Sequence, residues 1–207
     1  MTTARYDSVA QYYEGIMRPF ERWFLVGLRE KTLRQLPAGA RLLEIGAGTG
    51  LNFIYYPEDA RGVASELSVE MLKRANEKER PRGVSLLQNC AEDLPFQDAS
   101  FDAAFATLVF CSVGSPVKAL AEVRRVVRPG GTVVLLEHVR PGGVLGLVFD
   151  FLNLFTSTLF DDHINRRTAK NASDAGLEVV KVEQSKLGII NLITCRVEVK
   201  SQRHGEH

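Results

Sequence analysis

The residues best suited to chemistry gather just after a short apolar run at 41–45 (RLLEI). There Glu44-Ile-Gly46-Ala-Gly48-Thr-Gly50 places three glycines in five positions. Glycines at that density, straight after a buried strand, let the chain turn tightly and bring its backbone against a ligand. The spacing is GxGxG rather than the GxGxxG of dinucleotide sites, because Leu51 stands where the third glycine would fall. No Lys-Ser/Thr follows, so the turn is not a phosphate-cradling P-loop. The next apolar run, 62–67, carries Glu66 twenty positions beyond Gly46. A carboxylate there can accept both hydroxyls of a ribose. Turn and carboxylate together point to a nucleoside site. An ordinary tight strand-to-helix turn is the plain alternative, and an acid in register argues against it.

A second group of candidates lies at the carboxyl ends of later apolar runs, where open parallel sheets bind ligands. Thr107, Leu108, Val109 and Phe110 follow one run, and Glu137, His138 and Arg140 follow another. His138 is the candidate base, since an imidazole titrates near neutrality; a histidine at a strand end also serves as hydrogen-bonded structure. Glu137 either holds an ammonium group or caps a loop. Tyr6 and Tyr13 either cover the site from an N-terminal helix or are core aromatics. Arg166 and Arg167 open a helix, where adjacent guanidiniums and a helix N-terminus suit a phosphate headgroup; two solvated arginines are the alternative.

The elements that must position these residues follow from hydrophobic period. Val9, Tyr12, Tyr13, Ile16, Met17, Phe20, Phe24 and Leu28 recur at threes and fours, one face of a helix. Pro19 divides that stretch into two helices, and Pro37-Ala-Gly39 closes it. Five short apolar runs then read as strands: 41–45, 62–67, 84–89, 101–107 and 132–137. Helices are expected between them at 68–80 and 116–127, the second opened by Pro116 and stopped by Arg128-Pro-Gly-Gly131. A helix at 165–175, ended by Gly176, precedes two last strands at 177–185 and 192–200. Their connection is too short for a parallel crossover, so they pair antiparallel. Strands alternating with helices imply an α/β, doubly wound, mostly parallel sheet of seven strands with helices on both faces.

Composition narrows the partners. The chain has 207 residues, 45% of them hydrophobic, which fits one globular domain. Lys and Arg number 26 against 25 Asp and Glu, a net charge of +1. A duplex-binding protein normally carries a clear basic excess, so no nucleic-acid partner is expected. Cys90, Cys111 and Cys195 are scattered, without CxxC or Cys/His clustering. Neither a metal site nor a disulfide framework is expected, and the thiols read as buried, in a reducing compartment. No secretory signal is apparent at the N-terminus. The one membrane-like stretch, 144–160 (VLGLVFDFLNLFTSTLF), is short for a bilayer span and carries Asp150 and Asn153. It reads as a buried or interfacial helix of a cytoplasmic protein, peripheral on a membrane.

These motifs resemble the class I S-adenosylmethionine-dependent methyltransferases over nearly the whole chain. EIGAGTG (44–50), ELSVEML (66–72) and NCAEDLPF (89–96) are similar to the family's first three motifs. SFDAAFATLVFCSV (100–113) resembles its fourth strand and active-site edge, and LAEVRRVVRPGGTVVLLEHV (120–139) its fifth strand with the preceding helix. YDSVAQYYE (6–14) resembles the N-terminal signature of the quinone-biosynthesis and phospholipid N-methyltransferase branch. The resemblance implies a Rossmann-like fold with N-terminal helices and an apolar helical insertion after the fifth strand. It divides one methyltransferase domain, 1–207, into a helical lid (1–38), a cofactor-binding core (39–140), an apolar substrate cap (141–176), two last strands (177–200) and a tail (201–207).

The resemblance also implies S-adenosylmethionine as cofactor and S-adenosylhomocysteine as product. The glycine turn (Gly46, Ala47, Gly48, Gly50) would then pack on its methionine part, Glu66 would bind its ribose, Leu67 and Met71 would flank its adenine, and Glu44 and Asn52 would belong to the same cofactor set. An acidic residue of the third motif commonly receives the adenine amino group. Cys90, a poor acceptor, stands there in this chain, which leaves Ala91 and Glu92 to take that contact. Tyr13, Thr107 and Leu108 complete the cofactor set. Tyr13, Glu137 and His138 are the candidate catalytic residues, and Tyr6, Phe110, Arg140, Arg166 and Arg167 the candidate acceptor contacts. Methyl transfer from a sulfonium is an in-line displacement, in which alignment and water exclusion matter most and no metal is required.

The greasy stretch and the basic-aromatic N-terminal helix (Arg18, Phe20, Arg22, Trp23, Arg29) suggest a lipid-like acceptor at a membrane surface. Phosphatidylethanolamine-type N-methylation leads. Quinone-precursor C-methylation and small-molecule thiol S-methylation are the enzymatic alternatives, and a non-catalytic cofactor-binding scaffold the remote one. The protein is expected to act as a monomer or homodimer.

Overall fold

The computed structural model describes residues 15, 25–138, 168–185 and 190–199. Helix α1 (Val26–Leu33) leads into β1 (Arg41–Ile45), β2 (Arg61–Glu66), α2 (Val69–Asn76) and β3 (Gly83–Gln88). Then come β4 (Phe101–Thr107), α3 (Pro116–Val126), β5 (Val127–His138), α4 (Thr168–Asp174), β6 (Leu177–Gln184) and β7 (Ile190–Val197). The seven strands form one sheet in the order β3-β2-β1-β4-β5-β7-β6, parallel except for β7, which runs antiparallel to both its neighbours. The expected fold class is therefore observed.

Strand order explains where a ligand can sit. From β1 the chain winds outward through β2 to β3, then returns to place β4 on the other side of β1. That reversal leaves a crevice above the carboxyl ends of β1 and β4, the place where open α/β sheets bind ligands. Burial follows from the same layout. The central strands β1 and β4 are almost wholly buried, whereas the edge strands β3 and β6 alternate with solvent. One face of the sheet packs Leu43, Ala104 and Val133 against Leu120 and Val123 of α3 and Ala172 of α4. The other packs Leu42, Phe105 and Val134 with Leu25 and Leu33 at the ends of α1 and with Phe53 and Tyr56.

Several boundaries differ from the periodic reading, each for a local reason. Arg128-Pro-Gly-Gly131 ends α3 but lies within β5: Val127 already pairs with Phe101, the register shifts, and pairing resumes at Thr132 opposite Ala103. The four residues form an irregularity that a Gly-rich segment can absorb. Helix α2 stops at Asn76, four residues before the expected end, once its apolar stripe of Met71 and Ala75 is spent. After the glycine turn comes only a 3₁₀ turn, Phe53–Tyr55, because Pro57 forces Tyr56 into extended geometry. Cys111 and Cys195 are buried as expected, but Cys90 is exposed. Burial pushes the Cys195 thiol up to about 12, so it stays protonated. No helix among the described residues is long and apolar enough to cross a membrane. The stretch 144–160 and the N-terminal signature 6–14 lie outside the described residues.

Gly62 pairs with Leu42 in the β1–β2 ladder at φ +143°, and a Cβ there would fall inside the Leu42 carbonyl oxygen. Gly62→Ala should therefore cost about 2 kcal/mol or more, positive-φ strain adding to a backbone clash. Urea denaturation of the two proteins measures the difference, and a loss below half of that would contradict the close packing of the two strands.

Candidate functional site

The glycine turn is held by one hydrogen bond to β2 and one within itself. Ala47 N–H donates to the Ser65 carbonyl at 2.9 Å and Gly50 N–H to the Ala47 carbonyl at 2.9 Å. Gly46, Gly48 and Gly50 all have positive φ, at 66°, 55° and 81°. They lack a Cβ for different reasons. A Cβ on Gly46 would lie 2.5 Å from Val109 Cγ2, and one on Gly50 would lie 2.5 Å from the Phe53 ring. A Cβ on Gly48 would meet nothing within 4 Å. Gly46 and Gly50 thus permit close packing within the protein, while Gly48 keeps a left-handed backbone bare toward open space.

Glu66 reaches this turn from the end of β2. Its Oε2 accepts the Gly48 N–H at 2.9 Å, and its Oε1 accepts the N–H groups of Leu67 at 2.8 Å and Ser68 at 2.9 Å. Ser68 caps α2, its hydroxyl accepting from Met71 N–H at 3.2 Å. One carboxylate therefore joins the glycine turn to the entrance of α2, where the positive end of the helix favours an anion.

The far wall of the crevice is the turn after β4. Leu108 adopts φ 59°, a left-handed conformation costly for a side chain of its shape. Its N–H donates to the Leu136 carbonyl at 2.7 Å. The next two N–H groups, of Val109 and Phe110, donate to Glu137 Oε1 at 3.0 and 3.1 Å. Glu137 is 0% exposed. Of its two expected roles, this geometry serves the loop cap, and the carboxylate has no surface to offer an acceptor. Phe110, expected at the acceptor, is likewise wholly buried, in the core with Leu94 and Leu120. His138, half-buried, ends β5 opposite Ile190.

Beneath the crevice lies a knot of buried polar groups. Glu44 Oε1 accepts from the Asn52 amide at 2.5 Å, and Oε2 from the Tyr56 hydroxyl at 2.6 Å. The Asn52 amide nitrogen also donates to Thr107 Oγ1 at 2.9 Å. Arg29, only 4% exposed, donates to Asn52 Oδ1 at 2.8 Å and Thr107 Oγ1 at 2.7 Å. Burial by itself raises the Glu44 carboxyl, while the two hydrogen bonds and the Arg29 charge pull the other way; the net shift is upward. Burial and the neighbouring Glu44 raise the Tyr56 phenol well above its ordinary range, so it remains a donor. Glu44, Asn52 and Thr107 thus meet one another from below the turn, through buried side chains.

The expected adenine contacts divide. Leu67 is exposed at the end of β2, but Met71 is buried under α2. Cys90 and Asp93 form an isolated bridge, which holds Ala91 and Glu92 in a tight turn. The Glu92 carboxylate accepts from Ser115 N–H at 2.9 Å, just ahead of α3, leaving the backbone of this turn as the better contact. Tyr6, Tyr13, Arg140, Arg166 and Arg167 lie outside the described residues.

Two members of the knot were missed by periodicity. Tyr56 carries no periodic signal, and Arg29 belongs by composition to the basic-aromatic helix expected at a membrane surface. The structure corrects the second reading. Arg29 sits four positions from both Leu25 and Leu33, on the buried stripe of its helix. An arginine in step with buried leucines was the available signal.

Known proteins agree with this architecture. A family model for the methyltransferase domain matches residues 43–135. A phosphatidylethanolamine N-methyltransferase of Cereibacter sphaeroides is 34% identical over 186 residues, covering 81% of this chain and 90% of its own length. A thiol S-methyltransferase of Mus musculus is 32% identical over 161 residues, covering 74% of this chain; the chain spans 66% of that longer protein. Among solved structures, a SAM-dependent methyltransferase from Thermotoga maritima, a possible histamine N-methyltransferase, superposes with a TM-score of 0.67 at 25% identity. That match covers 91% of this chain and 99% of the other.

The raised Glu44 carboxyl has a measurable consequence. An acid raised by folding stabilises most when protonated; that contribution is full below the unfolded-state value and is lost as pH climbs through the raised one. Glu44→Gln fixes the neutral form. Between about pH 4 and about pH 8 the stability of the parent should therefore fall relative to the variant. Urea melts at both values measure it, and a difference independent of pH would show that burial does not perturb this group.

Proposed function

The chain belongs to the S-adenosylmethionine-dependent methyltransferases, and from that premise we propose that its acceptor is an amphiphilic, lipid-like molecule, methylated on an amine of the phosphatidylethanolamine type at a membrane surface. The reading is carried by the similarity, at nearly equal length, to the bacterial phosphatidylethanolamine N-methyltransferase. The apolar, half-buried side chains of Leu108, Val109 and Val113 around the turn after β4 support it.

The residues of the crevice fit the family's methyl donor. Gly48 leaves open space over a positive-φ backbone, Leu67 presents an exposed apolar side chain, and Glu66 brings a carboxylate between them. In this reading the backbone at Gly46, Ala47, Gly48 and Gly50 cradles the methionine part, Glu66 holds the ribose, and Leu67 with the turn at Ala91 and Glu92 flanks the adenine. The bound cofactor supplies a methyl group already activated on a sulfonium. What remains for the chain is to align an acceptor above β4 and β5, to exclude water and to accept a proton. An ammonium has no lone pair with which to attack, so its proton must leave first. His138, at the carboxyl end of β5, is the side chain suited to take it.

A second reading, S-methylation of a hydrophobic thiol, is favoured by the similarity to the murine enzyme. It needs the same apolar rim but a smaller headgroup site. Purified protein with labelled S-adenosylmethionine should label ethanolamine-headgroup liposomes in preference to a hydrophobic thiol or a demethylquinone. Label on the thiol or the quinone alone would replace the lipid assignment and keep the enzyme class.

Glu66→Ala should weaken S-adenosylhomocysteine binding by about 1.5–3 kcal/mol, the usual cost of losing a charged hydrogen-bond partner. Calorimetry measures it, and an unchanged affinity would remove Glu66 from the ribose contact.

A further inference from the structure

Arg29 lies 78 positions from Thr107 and 23 from Asn52, yet one nitrogen of its guanidinium donates to both. These two acceptors stand on opposite walls of the crevice. Asn52 trails the glycine turn after β1, and Thr107 is the last residue of β4, next to the left-handed Leu108. The walls also touch directly, through Val109 against Gly46 and through the Asn52 amide, which donates to Thr107 Oγ1 at 2.9 Å; Arg29 closes that pair into a triangle. A buried guanidinium loses its hydration, so it is retained only where hydrogen bonds and an opposite charge make up for it. Here Asn52 makes both connections: its carbonyl accepts from Arg29, and its amide donates to Glu44. The guanidinium of α1 and the carboxyl of β1 thus meet through one amide. A purely apolar contact would fill the same volume without fixing the orientation of Asn52.

We propose that Arg29 is a positioning residue for methyl transfer: carried in by α1, it locks the glycine turn to the end of β4, so that the donor-binding wall and the acceptor-side wall keep one geometry. The proposal rests on the assignment of this crevice to the methyl donor. It makes α1 part of the site although no face of Arg29 is open to a ligand. The essential property is the hydrogen-bonded linkage of the buried guanidinium to Thr107 and, across Asn52, to Glu44, not the bulk of the side chain.

The experiment uses the full chain with Arg29→Met, Arg29→Lys and the double variant Arg29→Met/Glu44→Gln. Calorimetric binding of S-adenosylhomocysteine is measured beside amide hydrogen exchange. Arg29→Met should bind roughly tenfold more weakly or worse, as expected when a charged hydrogen-bond centre is lost. Arg29→Lys should keep much of the affinity, and the double variant should regain most of it, because the buried carboxyl that Arg29 offsets is removed with it. Exchange in Arg29→Met should quicken at residues 48–52 and 108–110 while β6 keeps its protection, which a general loss of stability would not produce. Affinity within about twofold of the parent, no recovery in the double variant, or faster exchange spread evenly over the sheet would each overturn the proposal. Should Arg29→Met not fold, Thr107→Val removes one acceptor at constant volume. Quicker exchange at residues 48–52 would then support the lock, and unchanged exchange there would overturn it. A parent chain that binds no S-adenosylhomocysteine would count against the donor assignment alone, and the exchange arm would still decide the coupling.

Discussion

The approach of Val109 to Gly46 is the contact on which the site depends. The sheet reverses direction between β1 and β4, so the turns that leave these two neighbouring strands must share one crevice. They can do so only because Gly46 has no side chain, and Val109 occupies the space a Cβ would need. The turn after β4 is in its own strained conformation at Leu108, and Glu137 holds it there by accepting two successive N–H groups. Strain on one wall and a missing side chain on the other are parts of the same fit.

Beneath that contact, polar groups replace what would elsewhere be core. Burying Glu44 and Arg29 separately would cost several kcal/mol each. The fold offsets this by distributing donors and acceptors: Tyr56 and Asn52 donate to the carboxylate, and Asn52 and Thr107 accept from the guanidinium. The Asn52 amide uses both ends, which leaves it a single orientation. Such a network tolerates little slippage, whereas the apolar layers around it, built from Phe53, Phe105 and Leu136, adjust more easily.

Much of the architecture was legible in the chain because it is local or periodic. RLLEI and FDAAFAT read as buried strands, and both are, with the boundaries expected. The antiparallel pairing of the last two strands follows from the shortness of their connection and is observed. Less legible were features in which a tertiary contact outweighs a local signal. Arg128-Pro-Gly-Gly131 has the composition of a turn and yet lies within β5, because Val127 already pairs with Phe101. Phe110 and Met71 have the chemistry of ligand contacts, and the surrounding layers bury them both.

Residue order and spacing were enough to place the glycine turn, to put Glu66 at the end of the next strand and to indicate a nucleoside-binding α/β sheet. These depend on backbone conformation over a few residues and on strand length, which neighbouring side chains dictate. The assignment of Glu137 to a buried cap, and of Arg29 to the floor of the crevice, came only with the folded chain. Both depend on partners at |i−j| of 27–28 and of 23 and 78. Whether a charged side chain faces water or a waiting acceptor is settled by which surfaces the fold brings together, and no local pattern carries that information.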